Sequence, residues 1–247
     1  MYIYPKKSFI QKAIFMMAFV LSLRAGAQTP GLGTWNVISS KFTFTKKWSL
    51  LAEAQVRSQK IIHDFNYYEY KAGVGYNFPK SVSVLFAIGH YGTFQPDGDF
   101  KKPYVNDEFR MWEQFVLTNN IGIVKIEHRY RIEQRFTSNA GYRNRFRYRI
   151  NALVPFNNKV IKSKTWYSCI FNEVFVTNEA PYFEQNRIFL GLGYQFNERV
   201  TVLAGFLNRF DQSISNVPSW KNYFQTNFIF SFDEFKSGRE RHPSSLD

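Results

Sequence analysis

Polar and apolar positions alternate one for one along two runs between residues 123 and 154. In the first, IVKIEHRYRIEQRF, Lys125, Glu127, Arg129, Arg131, Glu133 and Arg135 share one parity, while Val124, Ile126, His128, Tyr130 and Ile132 share the other. After a short break the second run reads RNRFRYRINALVPF, with Arg143, Arg145, Arg147 and Arg149 opposed to Phe146, Tyr148, Ile150, Ala152 and Val154. A period of two is that of a strand, whose successive side chains point to opposite faces. The runs therefore predict a hairpin with one charged and one apolar face. In a soluble sandwich the apolar face would be core. In an outer-membrane barrel the charged face lines the lumen and the apolar face meets lipid.

Alternation continues along the chain. Glu53, Gln55 and Arg57 oppose Ala52, Ala54 and Val56; Glu69 and Lys71 oppose Tyr68, Tyr70 and Ala72. The pattern predicts strands at Thr34–Thr45, Trp48–Ser58, Tyr67–Phe78, Val82–Thr93, Glu108–Thr118, Ile123–Arg135, Arg143–Val154, Thr165–Val176, Asn186–Phe196, Val200–Phe210 and Trp220–Phe232. Short links at 46–47, 79–81, 119–120 and 197–199 alternate with longer ones at 59–66, 95–107, 137–142, 177–185 and 211–219. That is the pattern of periplasmic turns and outer loops, with 155–164 as an exception. Glu113 and Glu173 share parity with aromatic neighbours, which predicts a bulge or a barrel-end position for one of them. Bacterial single-chain barrels use even strand numbers, so these segments predict an all-β, antiparallel transmembrane β-barrel of twelve strands, or ten.

The N-terminus sets the compartment. Lys6, Lys7 and Lys12 precede the apolar run Ala13–Leu23, too short for a spanning helix, and Ala25-Gly26-Ala27 offers a small-x-small cleavage site. Residues 1–27 are expected to be a cleaved export signal, 28–232 the barrel, and 233–247 a polar, disordered tail. The expected location is the outer membrane of a Gram-negative envelope.

Composition fits. Aromatics make up 19% of the chain, with 27 Phe and 15 Tyr, yet mean hydropathy is only −0.34. Membrane strands that are half polar and flanked by aromatic girdles produce this combination. The formal charge is +13. Export argues against nucleic acid as the reason, and outer-membrane lipids, lipopolysaccharide or an anion-preferring lumen account for it better. The single cysteine, Cys169, excludes an internal disulfide and reads as a small apolar residue.

The segments TWNVISSKFTFTKKWSLLAEAQVRSQ, EFRMWEQF, IEHRYRIEQRF, NRFRYRI, FNEVFV and NRIFLGLGYQF, in that order, resemble the DUF2490 family of predicted outer-membrane β-barrel proteins. The resemblance covers nearly all of the mature chain and implies fold and localisation but no activity. The strand YFQTNFIFSF also resembles a barrel-assembly signal, which makes the assembly machinery a partner during biogenesis.

No catalytic, cofactor or metal residue stands out. His63, His90, His128 and His242 lack a G-x-S-x-G partner, and no Cys/His cluster has zinc-ligand spacing. The candidate site is a lumen charge network of Glu53, Arg57, Glu69, Lys71, Lys125, Glu127, Arg129, Arg131, Glu133, Arg135, Arg143, Arg145, Arg147 and Arg149, centred on Arg129, Arg131, Glu133, Arg145 and Arg147. The expected role is non-enzymatic, either structural or a narrow channel. The alternatives are an enzyme acting on envelope lipids through His90 or His63 at the outer rim, and ligand binding by the outer loops.

Overall fold

A computed structural model describes residues 31–79, 81–96, 99–212 and 218–233. The segment expected to be an export signal (residues 1–27), His242 and nearly all of the C-terminal tail lie outside the described residues. Eleven strands form one closed barrel: β1 (Gly33–Thr43), β2 (Trp48–Lys60), β3 (His63–Phe78), β4 (Val82–Phe94), β5 (Tyr104–Ile121), β6 (Val124–Thr137), β7 (Gly141–Pro155), β8 (Thr165–Thr177), β9 (Phe183–Gln195), β10 (Val200–Gln212) and β11 (Pro218–Asp233). Each strand pairs antiparallel with the next. The last pairing, β1 with β11, is parallel, running from Gly33 beside Tyr223 to Thr43 beside Asp233. The expectation of twelve or ten strands, all antiparallel, is thus corrected. An odd number of alternating strands leaves the first and last pointing the same way, so only a parallel seam can close the ring.

The two mouths can be named by the chain. Gly33 opens β1 at the N-terminal mouth, and Asp233 closes β11 at the C-terminal mouth. Among the described residues, links at the N-terminal mouth are 61–62, 95–96 with 99–103, 138–140 and 178–182; those at the C-terminal mouth are 44–47, 79 with 81, 122–123, 156–164 and 196–199. Loop lengths therefore do not segregate as the sequence predicts. The stretch 59–66 is a two-residue hairpin in which Lys60 pairs with His63, and 104–107 belong to β5. The long link 156–164 folds back so that Ile161 is buried with Trp35, Val37, Leu153, Tyr167 and Leu207 inside the barrel. Its length is used to plug the C-terminal mouth.

Register fixes which side chains point inward. Along the bodies of β1 to β4 and β6 to β11 the inward residues are odd-numbered, and in β5 they are even because the ladder shifts between Thr93 and Phe94; beyond the shifts at Arg57/Ser58 and Phe175/Val176 the even-numbered Asp64, Asn66 and Glu184 turn inward. Glu113 and Glu173 need no bulge at their own positions. Glu113 points outward mid-strand, bonded by Gln134 Nε2 at 3.1 Å, and Glu173 points inward beside Phe171 and Phe175, which are also inward. Shifts occur instead at Arg57/Ser58, Thr93/Phe94 and Phe175/Val176.

The distribution of polarity is inverted relative to a water-soluble fold. The wall exposes Ile38, Leu50, Phe86, Ile88, Phe115, Ile132, Phe146, Ile150, Ile188, Leu192, Phe206 and Phe228, while Glu53, Glu69, Arg131, Glu133, Arg147 and Glu173 are buried. Aromatic rings gather on the wall near both mouths. Trp48, Tyr76 and Phe78, and Trp166, Tyr194 and Phe196, form edge and tilted contacts at the C-terminal mouth. Phe109, Phe136 and Tyr142, and Phe183, Phe210 and Trp220, do so at the N-terminal mouth. Small inward residues make room for large ones: a Cβ on Gly193 would run into the Tyr167 ring.

Candidate functional site

The interior is built strand by strand from charged residues and rings. Near the N-terminal mouth Arg57 of β2 lies between two aromatic faces, its Cζ 3.3 Å from the Trp35 centroid and 3.9 Å from that of Tyr67. It donates to Gln55 Oε1 and, at 3.0 Å, to Glu69 Oε2. Glu69 also accepts from Tyr67 and from Gln55. Lys71 Nζ, wholly buried, sits 2.6 Å from Glu53 and 2.5 Å from Glu69. These residues of β2 and β3 pair with one another, and Arg57 shares the Trp35 ring with Arg187.

The charge ladder of β6 and β7 contains three direct like-charge pairs: Arg129 opposite Arg149, Arg131 opposite Arg147, and Arg135 opposite Arg143. Like charges facing across a sheet repel, so the counter-charges come from elsewhere. Glu133 is central. Its Oε2 accepts from Arg145 Nε and Nη2 at 2.8 and 2.5 Å, and its Oε1 from Arg147 Nη1 at 2.6 Å and Arg131 Nη1 at 3.3 Å. Glu173 of β8 accepts from Arg129 at 2.6 Å and Arg147 at 2.9 Å. Glu184 of β9 reaches along the wall to Arg135 of β6 at 2.8 Å and Arg145 of β7 at 3.3 Å. Glu108 of β5 holds Arg110 bidentately at 2.6 and 2.8 Å and also takes Arg135.

Toward the C-terminal mouth, Glu127 accepts from Asn151 at 3.1 Å and lies 3.5 Å from Lys125. Arg143 stands at the opposite rim, 3.8 Å from the exposed Glu179.

Cations outnumber carboxylates in this interior, and much of the guanidinium charge lies over rings. Arg110 covers Tyr91 at 3.7 Å, Arg147 covers Phe175 at 4.5 Å, Arg149 covers Phe171 at 5.0 Å, and Arg187 lies 4.9 Å from Trp35 and 4.5 Å from Phe175. A ring face attracts a cation through its quadrupole, more strongly when both are withdrawn from water.

The structure brings Arg129, Arg131, Glu133, Arg145 and Arg147 together. It pairs Glu53, Arg57, Glu69 and Lys71 with one another on β2 and β3. Sequence reading missed Glu108, Arg110, Gln114, Glu173, Glu184 and Arg187, and the aromatic partners. The signal for β5 was available as the parity Glu108, Arg110, Gln114, but the inward Trp112 interrupts it.

The histidines are elsewhere. His90 faces the outer wall, with Nε2 2.6 Å from Asp107 Oδ1, while Ser83 points inward from the other end of β4. His128 Nδ1 is 2.9 Å from the Tyr148 hydroxyl on the same outer face. His63 joins Asp64 and Asp99 at the N-terminal mouth within 4.8 Å of one another. These are donor types that suit a divalent cation, but Lys60 Nζ already lies 2.6 Å from Asp64 and Phe65 N–H donates to Asp99. Cys169 is buried and donates to Asn151 at 3.3 Å.

Fold and interior define a class: a closed β-barrel with an ion-paired interior and an apolar wall. Within that class, residues 32–221 match the model of a family described as protein of unknown function, DUF2490, and the chain belongs to that family. No curated protein and no solved structure matches the chain.

Proposed function

We propose that the protein is an integral outer-membrane β-barrel with a non-enzymatic role, its interior closed by the ion-pair network. The observation that carries this reading is the inversion of polarity. Carboxylates and guanidinium groups are buried inside a closed sheet, and the wall between two aromatic belts is mostly apolar, interrupted by outward polar pairs such as Glu113–Gln134 and Asn172–Asn186. In water such a wall would be a large exposed hydrophobic surface, which soluble monomers avoid. In lipid it is the required surface, and the closed ladder leaves no strand edge to satisfy. Outer-membrane lipids and lipopolysaccharide are then its surroundings, and the assembly machinery its partner during insertion.

The packed interior supports structure over conduction. Arg131, Glu133 and Glu173 are buried in it, and Arg187 of β9 lies 4.9 Å from the Trp35 ring of β1. Fractionation with carbonate and urea washing tests location: recovery of the mature chain in the soluble periplasm would sink the reading. Planar-bilayer recording tests closure, and steady anion conductance by the wild type would replace the structural role with a channel lined by the surplus arginines. The His90–Asp107 pair is the one feature favouring an envelope-lipid enzyme. Lipid hydrolysis abolished by His90→Ala would establish that alternative.

A further inference from the structure

Two rows of outward side chains cross β1 to β4 near the C-terminal mouth. The row nearer the mouth is large: Phe42, Leu50, Val74 and Phe86, in register. The next row begins with three small residues, Ser40, Ala52 and Ala72, before Ile88. The step between rows leaves an apolar groove of about 520 Å³, bounded across the seam by Phe232. Toward the mouth the groove's strands run into the β1–β2 link, where Lys46 and Lys47 are exposed. Lys46 lies four positions before Leu50, in the bend that precedes β2, so at most about 13 Å of chain separates them. The link is fixed to β3, because Asn77 donates both its backbone N–H, at 2.7 Å, and its side-chain amide, at 3.1 Å, to the Lys47 carbonyl. Lys47 Nζ stands 5.9 Å from the Tyr76 ring, which packs edge-on against Trp48 and Phe78.

This mouth is also the cationic one. Its described links carry Lys46, Lys47, Lys159, Lys162, Lys164 and Arg199 against Glu198, whereas those of the N-terminal mouth balance Lys101 and Lys102 with Asp99 and Glu179.

We propose that the groove seats an acyl chain of an anionic glycerophospholipid whose phosphate is held by Lys46 and Lys47. The proposal rests on the membrane reading above. An almost wholly apolar groove fits an acyl tail, and the two lysines at the mouth end complement its phosphate. A second copy of the protein fits worse. Two copies in one membrane share an orientation, so a two-fold contact would set hollow against hollow and bring both lysine pairs together. Glycerophospholipid rather than lipid A follows from the side: the C-terminal strand resembles an assembly signal, which is read from the periplasm, so this mouth meets the periplasmic leaflet.

Native mass spectrometry of the detergent-folded mature chain, equilibrated with equal amounts of phosphatidylglycerol, phosphatidylcholine and lipid A, tests this. Wild type should retain phosphatidylglycerol over the other two. Removing each lysine, as Lys46→Gln and Lys47→Gln, should lower that retention roughly five-fold. Ala72→Phe, or Ala52→Leu as a second filling variant, should lower it with the lysines intact; both positions face outward, and folding is checked by heat-modifiable migration on gels. Equal retention of the two phospholipids, or unchanged retention in the lysine variants, overturns the proposal. Preference for lipid A overturns the assigned lipid and side, and dimers that exclude lipid overturn the occupant. Vesicle insertion is scored on the same preparation: failure to insert sinks the membrane reading itself, whereas insertion without selectivity sinks only this site.

Discussion

Arg131 and Arg147 stand directly opposite one another on β6 and β7, and both donate to the same oxygen of Glu133, at 3.3 and 2.6 Å. A like-charge pair in that position is tolerated because one fully buried carboxylate serves both and a third arginine besides. Removing a partner from a buried pair leaves an uncompensated charge, which costs about 3–5 kcal/mol. Glu133→Gln should therefore lower the stability of the refolded barrel by about that amount in urea or thermal unfolding. Arg143→Gln, whose partner Glu179 is largely exposed, should cost less than about 1 kcal/mol. If Glu133→Gln instead leaves stability unchanged and raises anion conductance, the network is a pore lining.

Tyr148 and Arg147 report the register. Tyr148 is 36% exposed on the wall and Arg147 4% exposed inside. A spin label at 148 in bilayers should be quenched by lipid-soluble oxygen, and one at 147 should not. Arginine at 148 should cost about 2–4 kcal/mol if the site lies near the midplane. The reversed labelling pattern would mean a one-residue slip of β7.

The parallel seam has its own signature. Ile38 is aligned with Phe228 across it. In a Cys169→Ala background, Ile38→Cys with Phe228→Cys should oxidise to a cross-linked monomer, whereas Ile38→Cys with Phe224→Cys should not. Efficient cross-linking of the second pair alone would disprove the register.

Gly193 tests interior packing. An added methyl group has to displace the Tyr167 ring from inside a closed wall, and such overpacking costs about 1–3 kcal/mol. Gly193→Ala should lower the unfolding midpoint, and the effect should shrink in a Tyr167→Ala background. Additive losses in that double-mutant cycle would show that the two residues do not meet.

The sequence made β6 and β7 legible because their polarity alternates without interruption. Glu133 and its three arginines follow from that parity and from the need for counter-charge. Half of the network was not legible because the interior is also aromatic. Trp112 stands between Arg110 and Gln114, and Phe171 and Phe175 flank Glu173, so polarity there stops sorting inside from outside. Strand number failed for another reason: eleven segments were legible, but the even count expected of a membrane barrel overrode them, and nothing local in Gly33–Thr43 marks a strand whose partner is parallel. The stretch 59–66 looked like a loop because it is polar, yet Lys60 and His63 pair around the two exposed isoleucines.

Gly33 pairs with Tyr223, and every other neighbouring pair of strands is joined by a hairpin link. No turn can template the seam, so its closure comes after both edges are in place. The entropic penalty of joining ends so distant grows only with the logarithm of the separation. The difficulty is one of order in time. Until β11 is made and curled round, Gly33–Thr43 is a bare strand edge beside an apolar sheet, open to any other chain that can add a strand. A folding chain with this topology gains more from an escort that shields that edge than from any further stabilisation of the finished barrel.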